Sequence, residues 1–444
     1  MVDVVEGSRK WFLFNVSFLC IGIGYLFPFS ALTQPIDFWK FLFPEHNLNF
    51  SIAAYYNYTN LVVLGLIVWL KPQGSIVNRI TLGFAGQILA LVLIPTLWFF
   101  TPKDVYYYCI MTGTCFLAIV TAFLDCSVIS LGMRFPGRMQ ESLQLGIGIS
   151  TLIGSFYRLL TKAIFPPDWI VYSSVAYFYT GAVTIVLCLF AFFYLIRESG
   201  IAGFGRQKDK IPNNEVVIIV DDVEDETTED DSSGSSASRP EGGVVGEESA
   251  PLVNIDTMPP TPLSKLLVIR RILWNETLVI VMFCITLAVW PAIISELPYF
   301  EDIPGISREW WPLLLLAFFA VSDVIGRFIV SYVKIPGLSH RTIWIPIFIR
   351  LAFVPLIAWQ CSPTRLFGPL PGALSSDFWT LFLVFFFGFS NGYVGTLAII
   401  SVNDCCRSAA EKTYAGTLTS FFLNTGLVLG ASMGLAFEKL VLES

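Results

Sequence analysis

Long apolar stretches alternate with short polar connections along the chain, and eleven of them are long enough to cross a bilayer as helices, which takes about 20 mostly apolar residues. The pattern predicts spans over 11–34, 51–70, 79–100, 105–133, 142–164, 170–196, 274–296, 310–333, 341–360, 377–402 and 412–437. Two interrupt the apolar pattern: 51–70 opens on polar residues, and 341–360 carries Arg350. The first is no signal peptide, because it is too long and runs into Gly22-Ile23-Gly24 and Pro28 without a small-residue cleavage site.

Composition sharpens this picture. The 444 residues are 55% hydrophobic and 14% charged, against about 25% charged in a soluble domain. Acidic charge collects in one place, with 15 acids and 4 bases between Glu198 and Asp256. The apolar remainder is slightly basic. These features exclude a soluble enzyme, a disulfide-rich secreted domain and a nucleic-acid binder, and leave a multi-pass protein of the lipid bilayer. With the N-terminus cytosolic, 17 of the Lys and Arg residues fall at cytosolic ends and short loops and 6 on the other side. That asymmetry predicts eleven crossings and an extracellular or luminal C-terminus; the plasma membrane is the expected location, although the asymmetry itself does not distinguish it from an intracellular membrane.

The stretch 198–264 contains Asp221 to Asp231 followed by the Ser-rich run to Ser238. It cannot bury apolar surface and reads as an acidic, disordered cytosolic loop. It separates a six-span bundle, 1–197, from a five-span bundle, 265–444. Within it Glu248-Ser249-Ala250-Pro251-Leu252-Val253 loosely resembles a sorting signal, which would bring sorting or regulatory partners to the loop; the plain alternative is a linker. Asn49-Phe50-Ser51 and Asn275-Glu276-Thr277 fit the glycosylation pattern, but Asn275 sits on the cytosolic shoulder of the seventh span. The nine Cys show no zinc or disulfide spacing, and His46 and His340 lie far apart in connections. No metal, cofactor or catalytic centre is expected.

Ionisable residues inside spans are costly and usually face the bundle interior. Asp125 (fourth span), Arg158 (fifth), Asp323 with Arg327 (eighth) and Arg350 (ninth) stand out. Asp323 and Arg327 are four apart on one helix and can pair. They either pin the eighth span to its neighbours or face a central cavity and contact substrate. Asp125 has no base one turn away; it either bridges to Arg158 or acts as a cavity carboxylate that contacts substrate or carries a proton. Arg158 and Arg350 are proton or structural partners. Small residues recur every fourth position at Gly146, Ser150 and Gly154, at Gly388, Gly392 and Thr396, and at Gly426, Gly430 and Gly434. Such stripes allow close helix approach, as plain packing or as sliding surfaces.

Several local motifs resemble those of the equilibrative nucleoside transporters. Gly22-Ile23-Gly24-Tyr25-Leu26-Phe27-Pro28-Phe29-Ser30 looks like that family's first-span motif. Ser322-Asp323-Val324-Ile325-Gly326-Arg327 resembles its eighth-span Asp-x-x-Gly-Arg, and Gly388-Phe389-Ser390-Asn391-Gly392-Tyr393 is similar to its tenth-span Ser-Asn-Gly-Tyr. Glu411 through Gly430 resembles its last span. The resemblance implies an all-α integral membrane fold of 11 transmembrane helices, a major-facilitator-like two-bundle architecture lacking the twelfth helix. It implies alternating-access transport of nucleosides or nucleobases, by facilitated diffusion or proton-linked, and no enzyme activity. Leu26 and Phe29 would then line the pocket near the base, and Asp323 and Arg327 would contact sugar or base, with Gly388, Asn391 and Gly392 packing helices. Two departures matter: Phe29-Ser30 replaces Trp-Asn, and Asp125 falls where the family often has Gln. The acid raises the alternative of an organic-cation or monoamine carrier on the same scaffold.

Overall fold

The computed structural model describes residues 2–45, 47–70, 75–135, 137–199, 262–301, 308–333, 341–361, 371–406, 408–437 and 439. The acidic stretch, the Glu248–Val253 pattern, His46 and His340 lie outside the described residues. Among the described residues there are no strands, and eleven helical spans are long and apolar enough to cross a bilayer. In chain order they are span 1 (Trp11–Leu42), span 2 (Leu48–Leu70), span 3 (Ile76–Leu97), span 4 (Lys103–Arg134), span 5 (Gly137–Ile164), span 6 (Pro167–Glu198), span 7 (Lys265–Ser295), span 8 (Trp311–Val330), span 9 (Trp344–Cys361), span 10 (Asp377–Asp404) and span 11 (Glu411–Phe437).

All eleven apolar stretches become helices, and the main differences are at their ends. Span 7 begins nine residues before the apolar run does, at Lys265. Helical hydrogen bonding does not stop where apolarity stops, so Arg270, Arg271, Asn275 and Glu276 ride on its first turns. Span 1 continues past Pro35 into a short helix, Ile36–Leu42, tied back by Trp39 Nε1 donating to the Leu32 carbonyl at 2.8 Å. Span 9 is interrupted where the sequence placed a charge: an α-helix at Trp344–Ile349, a 3₁₀ turn at Arg350–Ala352, then helix again at Phe353–Cys361. Pro355 has no N–H to offer the Leu351 carbonyl, and the ladder tightens there.

Glycine sets the closest helix pairs. A Cβ on Gly22 would strike the Leu143 carbonyl oxygen and one on Gly146 the Leu19 carbonyl oxygen, locking spans 1 and 5 together. Gly326 abuts the Phe389 carbonyl and Gly392 the Asp323 carbonyl, which does the same for spans 8 and 10; Gly388 adds a 2.7 Å approach to the Phe319 carbonyl. Gly426 and Gly430 meet the Ile280 and Cys284 carbonyls between spans 11 and 7. The small-residue stripes therefore act in packing, although Gly154 and Gly434 have ordinary room, at 3.5 and 3.7 Å. Contacts of span 5 with span 8, and of span 11 with spans 2 and 4, join the first six spans to the last five.

Gly392→Ala is expected to cost about 1–3 kcal/mol through overpacking, read as a lowered thermal unfolding midpoint in detergent. Gly137→Ala, whose added Cβ meets nothing within 4 Å, is the control and should stay within about 0.5 kcal/mol of the parent. Equal midpoints would show that spans 8 and 10 are not in backbone contact.

Candidate functional site

A cavity of about 100 Å³ lies between the two sets of spans, with walls from spans 1, 2, 4, 5, 7, 8, 10 and 11. Leu26, Phe29, Asp125, Asp323 and Arg327 all line it, as does Asn391. The space suffices for several waters. Asn391 was expected to serve packing alone; its side chain faces the cavity instead. Gly388 and Gly392 stay on the span 8–span 10 contact.

One wall is built around Asp125, 1% exposed. Asn60 of span 2 donates Nδ2 to Asp125 Oδ2 at 2.9 Å, and Asn424 of span 11 donates its own Nδ2 to the same oxygen at 3.1 Å. Asn60 Nδ2 also reaches Asn424 Oδ1 at 2.8 Å. The Tyr25 hydroxyl stands close enough to interact with the carboxylate. Asp125 therefore has amide partners and no ion pair among those described.

Of the two alternatives for Asp125, the bridge to Arg158 does not form. Arg158 binds Asp37 instead, through Nε to Oδ1 at 2.9 Å and Nη2 to Oδ2 at 2.6 Å, and donates to Ser173 at 3.0 Å. The reason is depth. Asp125 lies nine residues from the Arg134 end of span 4, while Arg158 lies 21 residues above Gly137 at the same end of span 5. At 1.5 Å per residue that separates them in height by roughly 18 Å.

The opposite wall is a continuous polar network. Arg327 Nε binds Asp323 Oδ2 at 2.8 Å, so the eighth-span pair forms as the spacing requires. Arg327 Nη1 then crosses to span 5, reaching the carbonyl and Oε1 of Gln144, both at 3.1 Å. Asn391 Nδ2 donates to Asp323 Oδ1 at 2.7 Å, and Thr286 of span 7 donates to Asn391 Oδ1 at 2.7 Å. The pair thus both lines the cavity and ties span 8 to span 5. Arg350 does not line the cavity; it is buried behind this wall.

Aromatic rings close the cavity on one side. Phe29 lies 4.7 Å from Tyr56 and 6.3 Å from Trp290, which stacks on Phe319 at 5.6 Å. Beyond them, at the ends of spans 1, 5 and 7, Lys40 pairs with Glu296 at 2.8 Å and Lys162 donates to the Glu309 carbonyl at 3.1 Å. At the other end Asn403 donates to Gln140 at 3.3 Å and Arg134 to Thr413 at 3.1 Å. Contacts between the two sets of spans thus cross on both sides of the cavity.

Sequence reasoning missed the uncharged half of the site: Asn60, Gln144, Thr286, Trp290 and Asn424. The available signal was an amide or hydroxyl inside an otherwise apolar span at the depth of Asp125 or Asp323. It also missed Glu276, 0% exposed, which accepts from Thr419 at 2.6 Å and stands outside the cavity.

A family model described as "Nucleoside transporter" matches residues 111–439. The chain belongs to the nucleoside transporter family. Nucleoside transporters similar to it include the human equilibrative nucleoside transporter 1, 27% identical over 425 residues covering 90% of this chain and 85% of that protein. The Arabidopsis thaliana equilibrative nucleotide transporter 1 is 24% identical, with 96% and 87% covered. In fold it is similar to the proton:xylose symporter XylE of the major facilitator superfamily, at TM-score 0.55 and 10% identity, with 97% of this chain and 94% of that one covered. As a member of this family the chain is a multi-pass membrane carrier and not an enzyme; its eleven described spans share the major-facilitator-like fold, and the organic-cation alternative gains no support.

Removing Arg158 leaves the Asp37 carboxylate, 12% exposed, without its main partner. Lys162 stays 3.6 Å from Asp37, so Arg158→Gln should cost less than the roughly 3 kcal/mol of a carboxylate left wholly unpaired, seen as a lower unfolding midpoint, and adding Asp37→Asn should recover part of it. An unchanged midpoint in the single variant would mean that the pair holds nothing.

Proposed function

We propose that this protein carries nucleosides or nucleobases across the plasma membrane by alternating access, with bundles 1–197 and 265–444 rocking about the cavity. The N-terminus is cytosolic and the C-terminus extracellular or luminal, following the Lys and Arg asymmetry, and 198–264 is a cytosolic linker open to sorting or regulatory partners. The observation that carries the reading is the Arg327–Gln144 contact: a guanidinium of one set of spans, held by Asp323, reaches a polar group of the other inside a buried cavity.

A substrate hydroxyl or ring nitrogen offered to Arg327 and Asp323 would replace the Gln144 contact and share the charge already in place. On the facing wall Asp125 accepts from an amine or hydroxyl, with Asn60 and Asn424 adjusting around it. The flat rings of Phe29, Tyr56 and Trp290 suit a planar heterocycle, which stacks on aromatic faces. Direction follows the concentration gradient unless Asp125 moves a proton with the substrate. No bond is made or broken.

Proteoliposomes holding the protein should take up labelled adenosine or a nucleobase. Arg327→Ala should lower uptake at least about tenfold, the equivalent of one charged hydrogen bond. A well-folded sample with no uptake of any nucleoside or base rejects the reading. The same assay at two external pH values separates the two forms of transport. If a proton moves with substrate, Asp125→Asn removes the pH dependence; if not, wild type and variant respond alike.

A further inference from the structure

We infer that Arg350 is a positioning residue for the substrate cavity: it fixes the amide of Asn391, and through it the carboxylate of Asp323, without touching the cavity itself. This rests on the reading of Asp323 and Arg327 as substrate contacts.

Span 9 presents Ile345, Phe348, Ile349 and Leu351 outward, between 43% and 64% exposed, and turns Ile347, Ile357, Ala358 and Gln360 inward. Arg350, the one charged side chain of this span, joins the inward face at the 3₁₀ turn and is 1% exposed. Its Nη1 donates to the Phe387 carbonyl at 3.0 Å and to Ser390 Oγ at 2.5 Å. Its Nη2 donates to Thr286 Oγ1 at 3.2 Å and reaches Asn391 Oδ1 at 3.5 Å. The guanidinium carbon sits 4.8 Å from the centre of the Phe387 ring. Among the described residues no carboxylate is bonded to it. These bonds gather Thr286, Ser390 and Asn391, from spans 7 and 10, onto one rigid fork.

An asparagine amide can turn either way, and the two ways differ in what each end meets. Here Oδ1 of Asn391 faces a cation and the Thr286 hydroxyl, and Nδ2 faces the anion Asp323. Turned over, it would put oxygen against carboxylate and N–H₂ against guanidinium. The charge of Arg350 on one side therefore selects the orientation that serves Asp323 on the other. With Oδ1 of Asp323 occupied by Asn391, Oδ2 is left for Arg327 Nε, which sets where Arg327 projects into the cavity. Lys could not replace Arg350, because one ammonium cannot hold four acceptors in a planar fork.

The test is a double-mutant cycle on uptake by proteoliposomes, using Arg350→Gln, Thr286→Val, Asn391→Ala and the Arg350→Gln/Asn391→Ala pair, with unfolding midpoints in parallel. Arg350→Gln is expected to raise the nucleoside KM about tenfold while the maximal rate falls much less. Thr286→Val, which removes the hydroxyl but keeps every charge, raises KM about threefold with the midpoint unmoved. In the Asn391→Ala background Arg350→Gln adds less than about twofold, because residues acting through one another are not additive. Equal fold-changes in both backgrounds, or a lowered midpoint with KM unchanged in both Arg350→Gln and Thr286→Val, overturn the inference. Should Arg350→Gln not fold, Thr286→Val with and without Asn391→Ala decides on the same criterion. Absence of nucleoside uptake by the wild-type protein overturns the transport reading itself; uptake with additive costs overturns only this inference.

Discussion

A charge inside a bilayer-spanning bundle must have partners, and few are available there because the apolar spans supply only backbone groups already used in helices. That constraint organises the centre of this molecule. Two arginines and one aspartate on the side of spans 7–11 share a single network with Thr286, Asn391 and Gln144. One aspartate on the side of spans 1–6 is held by amides. Both walls borrow a group from the other set of spans, Gln144 in one case and Asn424 in the other. The same bonds that make the charges tolerable therefore hold the cavity shut, and a ligand able to take over those bonds can loosen it. Binding and conformational change become one event, as a carrier requires.

The glycine contacts complement this arrangement. Spans 1 and 5, 7 and 11, and 8 and 10 touch backbone to backbone through Gly22 and Gly146, Gly426 and Gly430, and Gly326 and Gly392. Each of these pairs lies within one set of spans. Between the sets the bonds described around the cavity each start from a side chain, two of them ending on the Gln144 and Glu309 carbonyls, and Gly416 of span 11 adds one close approach to the Ser130 backbone of span 4. Backbone seams inside each set beside side-chain bonds between them suit the two-bundle motion proposed above.

Much of the fold was legible in the sequence, because a run of apolar residues long enough to cross a bilayer has few alternatives to a helix. The ionisable residues were legible too, since each is rare in such a setting: Asp125, Asp323 and Arg327 all reach the cavity. Depth was legible but not used, and counting residues from the helix ends separates Arg158 from Asp125. What could not be read was which way uncharged side chains face. Asn60, Asn424 and Gln144 matter through contacts between helices distant in sequence, and no local pattern marks those contacts. The orientation of Arg350 was equally hidden, because a lone arginine in an apolar span looks the same whether it faces a substrate or supports a neighbour.

The two closures of the cavity differ in kind. On the side of Lys40 and Glu296 it includes an ion pair with Lys40 about half exposed; on the side of Gln140 and Asn403 it is a bond between buried neutral amides beside a guanidinium that meets a hydroxyl, Arg134 on Thr413. Dissolved electrolyte weakens a solvent-facing ion pair, the more so as the charges draw apart toward the screening length of about 8 Å at physiological ionic strength, and does little to neutral groups in a dry interface. Salt dissolved on the Lys40 face thus acts on a contact between opposite charges that has no counterpart among the contacts described at the other end of the cavity.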